Sequence, residues 1–201
     1  MAEPDPRIIA ALREQLARQR ALLAGGATRV GWKIALGIDG IEDRPVIGYL
    51  TSATLLEPGS RHSAAAASEL CVDAEVAVVI GAGYAAALEL VDLGQGRGSV
   101  ESVIRENVLH RAVALGPARE ADPEGTARVW VGDELRAERR IAFDLEERVA
   151  VARYWLSALG ERLEPGDAVI TGAIAQVPVA PGDQVAVELG SLGRLDVTIT
   201  A

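Results

Sequence analysis

Two acidic residues on one predicted strand are the first candidates for chemistry in this sequence. Asp73 and Glu75 are two positions apart, so strand alternation places both on one face, with the apolar residues Val72, Ala74, Val76 and Val78 on the other. Adjacent anions repel each other, and a bound cation or Lys and Arg partners offset that cost. Mg²⁺ prefers such oxygen ligands. An Asp-x-Glu pair is also common on solvated strand faces, so the spacing alone leaves both interpretations open.

The strands that must position these acids are predicted from short apolar or β-branched runs bounded by turn residues. Residues 70–80 form the longest strand candidate, and residues 86–93 form the next one after the turn Gly81-Ala82-Gly83. Further strands are predicted at 28–36, 46–50, 168–171, 184–189 and 195–200, with a hairpin over 127–135 around Gly132-Asp133. Because turns join most strands, we predict an α+β fold with a rolled mixed or antiparallel β-sheet.

Helical spacing of apolar residues predicts one helix before this β-rich body and further helices within it. The first run begins at Pro6 and ends at Gly25-Gly26, which places an N-terminal helix within residues 1–26. Asp144 is a predicted N-cap for a helix that reaches about Leu159, and residues 99–111 also have helical spacing. No linker or composition shift divides the chain, so residues 1–201 are predicted to form a single domain on which the first helix packs.

Composition excludes several classes of partner. The chain has 201 residues, 49% of them hydrophobic and 3% aromatic, with a net charge of -9 and a pI of about 4.8. This negative field disfavours nucleic acid and anionic membranes, so an anionic substrate would need a local cation. The single cysteine, Cys71, cannot form an internal disulfide, and the acidic start lacks the features of a secretory signal. No apolar stretch is long enough to span a bilayer, so we predict a soluble, cytoplasmic protein.

Several short segments occur in an informative order. They are Gly31-Trp32-Lys33-Ile34, Gly48-Tyr49-Leu50-Thr51-Ser52, Asp73-Ala74-Glu75, Ala87-Leu88-Glu89-Leu90-Val91-Asp92, Gly166-Asp167-Ala168-Val169-Ile170-Thr171-Gly172 and Val179-Ala180-Pro181-Gly182-Asp183. In this order they resemble the 2-keto-4-pentenoate hydratase and 4-oxalocrotonate decarboxylase family of the fumarylacetoacetase superfamily. The resemblance implies a fold of the fumarylacetoacetase C-terminal-domain type.

The resemblance also implies a metal-dependent lyase of aromatic catabolism. Asp73, Glu75 and Glu89 match the family's ligands for Mg²⁺ or Mn²⁺, with Asp73 one carbon shorter than the usual Glu. The metal would chelate a small anionic 2-oxo acid and stabilise the enolate that forms when a proton leaves C3. Lys33 matches a lysine near the substrate and is predicted to neutralise charge or steer proton transfer. Asp92 falls on the opposite face of its strand from Glu89, which predicts structural hydrogen bonds for it.

Other positions matched by the resemblance include departures from the family pattern. Thr171, Gly172 and Asn107 are predicted to bind substrate, but a terminal Ser is replaced by Ala173 and an acidic residue by Ala53. Cys71 stands where relatives often have an arginine, and the connection between the metal strands is shortened. His110 follows the Glu106-Asn107 segment, where an imidazole is predicted to act as acid or base in place of the residue lost at position 53. His62 is predicted to be a solvent-exposed loop residue.

The predicted reaction is hydration of a 2-hydroxypentadienoate-type acid. The same metal site leaves open decarboxylation of a 2-oxo diacid such as 4-oxalocrotonate or oxaloacetate, and hydrolysis of an acylpyruvate. Another alternative, motivated by Ala53, Ala173 and the shortened loops, is a degenerate subunit without activity. The resemblance further predicts a homo-oligomer, or a complex with a related family member.

Overall fold

A computed structural model describes residues 5–37, 45–96, 98–120, 122–142 and 144–201. The helices within these ranges are α1 (Pro6–Ala24), α2 (Val100–Arg105) and α3 (Leu145–Ala158), with 3-10 turns at Leu93–Gly96, Asn107–Leu109 and Gly190–Leu192. The strands are β1 (Arg29–Ala35), β2 (Val46–Thr51), β3 (Leu55–Leu56), β4 (Arg61–Ser63), β5 (Leu70–Val79), β6 (Gly83–Asp92), β7 (His110–Leu115), β8 (Thr126–Val131), β9 (Glu134–Arg140), β10 (Ala168–Ile170), β11 (Ala175–Pro178), β12 (Gln184–Leu189) and β13 (Arg194–Thr200).

The strands form two mixed sheets. The larger sheet has the order β2-β1-β10-β5-β6-β7-β3, with β11 also pairing with β5, and the smaller has the order β4-β13-β12-β8-β9. The pairs β1–β10, β3–β7 and β4–β13 are parallel, whereas the other pairs are antiparallel. The predicted α+β fold with a mixed sheet is therefore confirmed.

The two sheets share one apolar core. Val72, Ala74 and Val76 of β5 point into this core, where they meet buried residues of β12 such as Val185 and Val187. Alternation along β5 then turns the intervening residues towards the opposite face of the larger sheet. The shared core supports the proposal that residues 1–201 form a single domain.

Helix α1 packs on the opposite side of the larger sheet. Its start is fixed by Asp5, whose side chain accepts a hydrogen bond from the Arg7 N–H, and by Pro6 in the first turn. Leu12 and Leu16 are buried in a cluster formed with residues of β2 and α2. The buried Gln15 side chain donates to the carbonyls of Ile47 and Ile104 at 3.2 Å and 2.7 Å, which ties α1 to both elements. No helix in the described ranges is long and apolar enough to cross a membrane.

The structure corrects two local predictions, and a third depends on residues that the structure does not describe. Helical spacing over residues 99–111 produces a helix only to Arg105, because residues 107–109 adopt a left-handed backbone that a right-handed helix cannot contain. His62 is half-buried in β4, where its strand pairs with the end of β13, so the prediction of an exposed loop was wrong. Residues 1–4, on which the prediction about a secretory signal depended, lie outside the described residues.

Candidate metal centre

The β5–β6 hairpin brings the three predicted acids together. Asp73 lies directly opposite Glu89 in the strand register, and Glu75 follows on the same face of β5. One carboxylate oxygen from each residue can be chosen so that all three lie within 4.8 Å of one another. Their exposed fractions are only 4% for Asp73, 1% for Glu75 and 0% for Glu89. The acids are thus a buried cluster and not a solvated strand face.

Each of the three carboxylates is held by a donor from another element. Glu75 Oε2 accepts a hydrogen bond of 2.8 Å from the Gly172 backbone N–H. Asp73 accepts one from the side chain of Gln176, which lies opposite it on β11. Glu89 Oε1 forms an ion pair of 2.6 Å with Lys33 Nζ. Each carboxylate is therefore fixed in orientation by a residue outside the hairpin.

Two of the remaining oxygens are buried without a partner. Asp73 Oδ1 and Glu89 Oε2 have no hydrogen-bond donor within the described part of the chain. Leaving a buried anionic oxygen unsatisfied is costly, and divalent cations such as Mg²⁺ bind oxygen ligands of this kind. The donor set thus fits a hard divalent cation that contacts one oxygen of each acid.

The electrostatics of the cluster reflect the repulsion among its acids. Burial, together with the negative charge of Glu89, raises the pKa of Asp73 to about 7. Burial, together with the negative charges of Glu89 and Asp73, raises the pKa of Glu75 well above its ordinary value. Burial alone would also raise the pKa of Glu89, but Lys33 and His110 beside it hold that pKa below its ordinary value. Without a cation, the negative charge is therefore concentrated on Glu89.

Lys33 is positioned by an unusual backbone segment. Three consecutive residues, Asn107, Val108 and Leu109, have positive φ angles of 53°, 53° and 65°. This conformation is unfavourable for L-residues, particularly for β-branched ones such as valine. It directs the Val108 carbonyl towards Lys33 Nζ, which donates a hydrogen bond of 3.1 Å to it. The left-handed segment therefore fixes the ammonium group beside Glu89.

Asn107 holds this segment against the edge of the larger sheet. Its Oδ1 accepts a hydrogen bond of 2.8 Å from the Tyr49 N–H, and its Nδ2 donates one of 2.9 Å to the Tyr49 carbonyl. The amide thus pairs with β2 as a neighbouring strand would. Because the oxygen and the nitrogen of the Asn107 amide are both hydrogen-bonded to Tyr49, Asn107 stabilises the left-handed segment.

Thr171 and Gly172 take different positions at the end of β10. The Thr171 side chain is buried and donates a hydrogen bond of 2.9 Å to the Val76 carbonyl. Gly172 borders the pocket and has a φ of +101°, and a Cβ at this position would lie 3.0 Å from Leu36 Cδ1. The glycine therefore combines a left-handed conformation with close packing.

His110 lies behind Glu89 as seen from the pocket. Its Nδ1 is 2.7 Å from Glu89 Oε1, its Nε2 is 2.9 Å from Thr54 Oγ1, and its side chain is only 1% exposed. Burial lowers the pKa of His110 below its ordinary value despite the adjacent carboxylate. Both ring nitrogens are thus engaged with protein groups.

Three positions that depart from the family pattern also have defined surroundings. Ala53 is exposed in the turn after β2 and borders a hollow beside α1, separate from the lining of the acidic pocket. Ala173 is exposed at the rim of the acidic pocket. Cys71 is buried, and burial is the main reason that its pKa is raised to about 11. The loss of an acid at position 53 therefore changes a surface outside the acidic pocket.

The carboxylates face a cavity of about 570 Å³ with an apolar wall. Lys33 contributes a positive charge beside the acids, whereas much of the remaining lining is aliphatic. The aliphatic side chains are Ile34, Leu36, Val91, Leu93, Val103, Val108 and Leu109. Such a cavity combines charged groups with an apolar lining, as small-molecule sites commonly do.

Sequence reasoning did not identify Gln176, Thr54 or the Val108 carbonyl as parts of this centre. Gln176 lies on β11, a strand absent from the predicted set, and its partner could be found only from strand register. Thr54 acts through His110, and Val108 acts through its backbone. The structural role predicted for Asp92 is supported, since it accepts hydrogen bonds from Glu69 N–H and Arg111.

Comparison with known proteins finds related folds but no related sequence family. No family model matches the chain, and no curated protein matches it. The solved structure of 4-oxalocrotonate decarboxylase from Pseudomonas putida G7 complexed with magnesium and adipate is 21% identical, with a TM-score of 0.81 over 95% of this chain and 86% of that one. Fumarylpyruvate hydrolase from Pseudomonas aeruginosa in complex with Mn²⁺ and pyruvate is 16% identical, with a TM-score of 0.64 over 86% of this chain and 90% of that one.

These comparisons confirm the fold that the ordered segments predicted. The same decarboxylase complexed with calcium and acetate gives a TM-score of 0.82 at 22% identity, covering 95% of this chain and 85% of that one. The chain therefore shares the fold of 4-oxalocrotonate decarboxylase and of fumarylpyruvate hydrolase.

Proposed function

We propose that this protein is a divalent-metal-dependent enzyme acting on a small 2-oxo acid, and specifically a hydratase of a 2-hydroxypentadienoate-type acid. The observation that carries the proposal is the arrangement of Asp73, Glu75 and Glu89. Each acid is held by a donor from outside the hairpin, while one buried oxygen of Asp73 and one of Glu89 have no hydrogen-bond partner among the described residues. Solved structures of the same fold hold magnesium, calcium or Mn²⁺, which supports Mg²⁺ or Mn²⁺ here.

The residues around the acids have separable roles in this proposal. A bound Mg²⁺ or Mn²⁺ would polarise the 2-oxo and carboxylate oxygens and stabilise the negative charge that develops there as a proton leaves C3. Lys33 lies beside the acids with its ammonium group fixed by Glu89 and the Val108 carbonyl. We assign it the neutralisation of substrate charge and the movement of the proton. Thr171 and Asn107 were predicted to bind substrate, but their polar atoms are engaged by Val76 and Tyr49, so we assign both residues the support of the site's backbone.

The cavity supports a substrate with a short apolar tail. The aliphatic wall formed by residues such as Leu36, Leu93 and Leu109 faces the same space as the acids. Bound there, a dienoate chain would bury its apolar surface against that wall, which favours binding. The proposed orientation therefore directs the carboxylate end to the acidic cluster and the carbon chain to the wall.

Metal-dependent turnover tests this function directly. Purified protein is stripped with EDTA, reloaded with Mg²⁺ or Mn²⁺, and followed by loss of the dienol ultraviolet absorbance. We expect turnover only with metal, and we expect Glu75→Gln to abolish both turnover and Mn²⁺ binding measured by calorimetry. Asp92→Asn is the matched control, because this buried acid lies on the same hairpin but is bound to Arg111. Absence of Mn²⁺ binding by the unaltered protein would overturn the proposal.

Decarboxylation of a 2-oxo diacid is the second candidate. It is favoured by the high structural similarity to 4-oxalocrotonate decarboxylase over nearly the whole chain, and it needs the same stabilisation of negative charge. Release of carbon dioxide from 4-oxalocrotonate or oxaloacetate distinguishes it from hydration. Acylpyruvate hydrolysis has weaker support, because His110, its predicted base, has both ring nitrogens engaged behind Glu89.

The remaining expectations concern assembly and location. A non-catalytic partner subunit is disfavoured by the well-formed acidic pocket. A homo-oligomer, a complex with a related family member and a cytoplasmic location stay predictions. Light scattering of the purified protein tests the first of these.

A further inference from the structure

The surroundings of His110 differ from those expected of an acid or base that touches substrate. The ring is buried between Glu89 and Thr54, and each nitrogen is within hydrogen-bond distance of one of them. The ring is also absent from the lining of the acidic pocket. Its contact with that pocket runs through the Glu89 carboxylate, so any effect on chemistry must be transmitted by that group.

The contacts of Glu89 show what the imidazole does there. His110 Nδ1 and Lys33 Nζ both lie against the same oxygen, Oε1, at 2.7 Å and 2.6 Å. The second oxygen, Oε2, is buried and has no partner among the described residues. Two donors on one oxygen fix the rotation of the carboxylate and leave the other oxygen available. This is the arrangement by which outer partners orient a metal-binding carboxylate.

The turn that carries Thr54 fixes the ring from its other side. The Thr54 N–H donates to the Thr51 carbonyl at 3.1 Å, and the Thr54 carbonyl accepts from the Val113 N–H at 2.9 Å. Val113 lies on β7, the strand that begins with His110. A neutral ring that donates from Nδ1 has an acceptor at Nε2. The Thr54 hydroxyl lies 2.9 Å from this nitrogen and 3.4 Å from the Thr51 carbonyl, so we assign its single proton to the shorter contact with His110. The hydroxyl and the ring are therefore held in one rigid unit.

We propose that His110 is a positioning residue that donates its Nδ1–H to Glu89 Oε1, with Thr54 holding the ring, and so directs Glu89 Oε2 towards the divalent cation. This inference rests on the proposed metal-dependent function. It assigns the histidine a role in metal affinity and carboxylate geometry, and it removes the histidine from proton exchange with the substrate.

Two substitutions of His110, one that keeps a donor near the position of Nδ1 and one that removes it, test the proposal. Asparagine places an N–H near the position of Nδ1, whereas leucine keeps volume and removes the donor. Mn²⁺ dissociation constants are measured by calorimetry for the unaltered protein, His110→Leu and His110→Asn. Loss of such an outer partner weakens metal binding by about 10–100-fold, and we expect about tenfold for His110→Leu because Lys33 remains. For His110→Asn we expect most of the affinity to return.

A spectroscopic measurement provides a second readout. The chain has two histidines, so nitrogen NMR of histidine-labelled protein can be assigned with His62→Asn, which also serves as the control with unchanged Mn²⁺ affinity. We expect a protonated Nδ1 on His110 with and without Mg²⁺. An unprotonated Nδ1, or His110→Leu that is folded and binds Mn²⁺ as the unaltered protein does, would overturn the inference. Failure of the unaltered protein to bind Mn²⁺ would instead overturn the proposed function.

Discussion

Replacing Asp73 by asparagine should stabilise the metal-free protein at neutral and alkaline pH. The substitution removes one charge from a buried cluster in which Glu75 and Glu89 lie nearby. Asparagine keeps the shape of the side chain and an oxygen that can accept the hydrogen bond from Gln176. The variant thus removes repulsion while preserving packing.

The size of the effect follows from the pKa of Asp73. Burial and Glu89 raise that pKa from 3.8 to about 7, a difference of about 3 units, and each unit corresponds to about 1.4 kcal/mol. Because the folded pKa lies above the unfolded one, the folded state binds more protons between about pH 4 and pH 7. The contribution of Asp73 to the free energy of unfolding therefore falls as pH rises through this window, by about 4 kcal/mol.

Thermal unfolding in EDTA at pH 4 and pH 8 measures this difference. At pH 8 we expect Asp73→Asn to unfold about 8–16 °C above the original protein, since about 1 kcal/mol shifts Tm by about 2–4 °C at this chain length. At pH 4 the two transitions should nearly coincide. Mg²⁺ at a hundredfold excess over its Kd should stabilise the original protein by about 2.7 kcal/mol and leave the variant unchanged. A variant less stable than the original at pH 8 in EDTA would refute the electrostatic reasoning.

Three further substitutions test separate parts of the centre. Lys33→Met should lower kcat by about 10²–10⁴-fold while Mn²⁺ still binds; parallel kinetics and calorimetry check this, and retained turnover would contradict a role in proton transfer. Gly172→Ala should cost about 1–3 kcal/mol in urea unfolding, because φ is +101° and the new Cβ would meet Leu36; an unchanged midpoint would argue against this strain. Asp92→Asn should lose about 2 kcal/mol at pH 7, because Arg111 and backbone N–H groups outweigh burial and hold the pKa of Asp92 at about 2. Since that pKa is depressed, the loss should disappear as pH falls towards 2, and a pH-independent loss would contradict it.

The sequence was sufficient to predict the strands, and the acids that they bring together, where these depend on local pattern. The alternation Asp73-Ala74-Glu75 placed the acids on one face, and the turn around Gly81 placed β6 beside β5. The cap at Asp144 and the glycines after α1 defined the helices with similar success. These features depend on neighbours within a few residues, which is why periodicity and capping reveal them.

Features fixed by distant contacts could not be predicted in this way. The left-handed residues 107–109 carry no glycine, and their backbone is held by pairing between Asn107 and Tyr49 across the fold. Gln176 meets Asp73 because β11 pairs with β5, a register that no local pattern encodes. His110 has a sequence position typical of the site, but only the structure places it behind Glu89. Local pattern thus located the cluster of acids, whereas tertiary contacts determine what surrounds it.

The tight β5–β6 hairpin has a consequence for how this centre can diverge. All three acids of the proposed metal centre come from one contiguous segment of chain, whereas the groups that orient them come from β1, β7, β11 and the end of β10. A substitution in any of those four elements can therefore change one carboxylate's surroundings without altering the segment that carries the acids. The orientation of each acid can thus be varied separately, one supporting residue at a time.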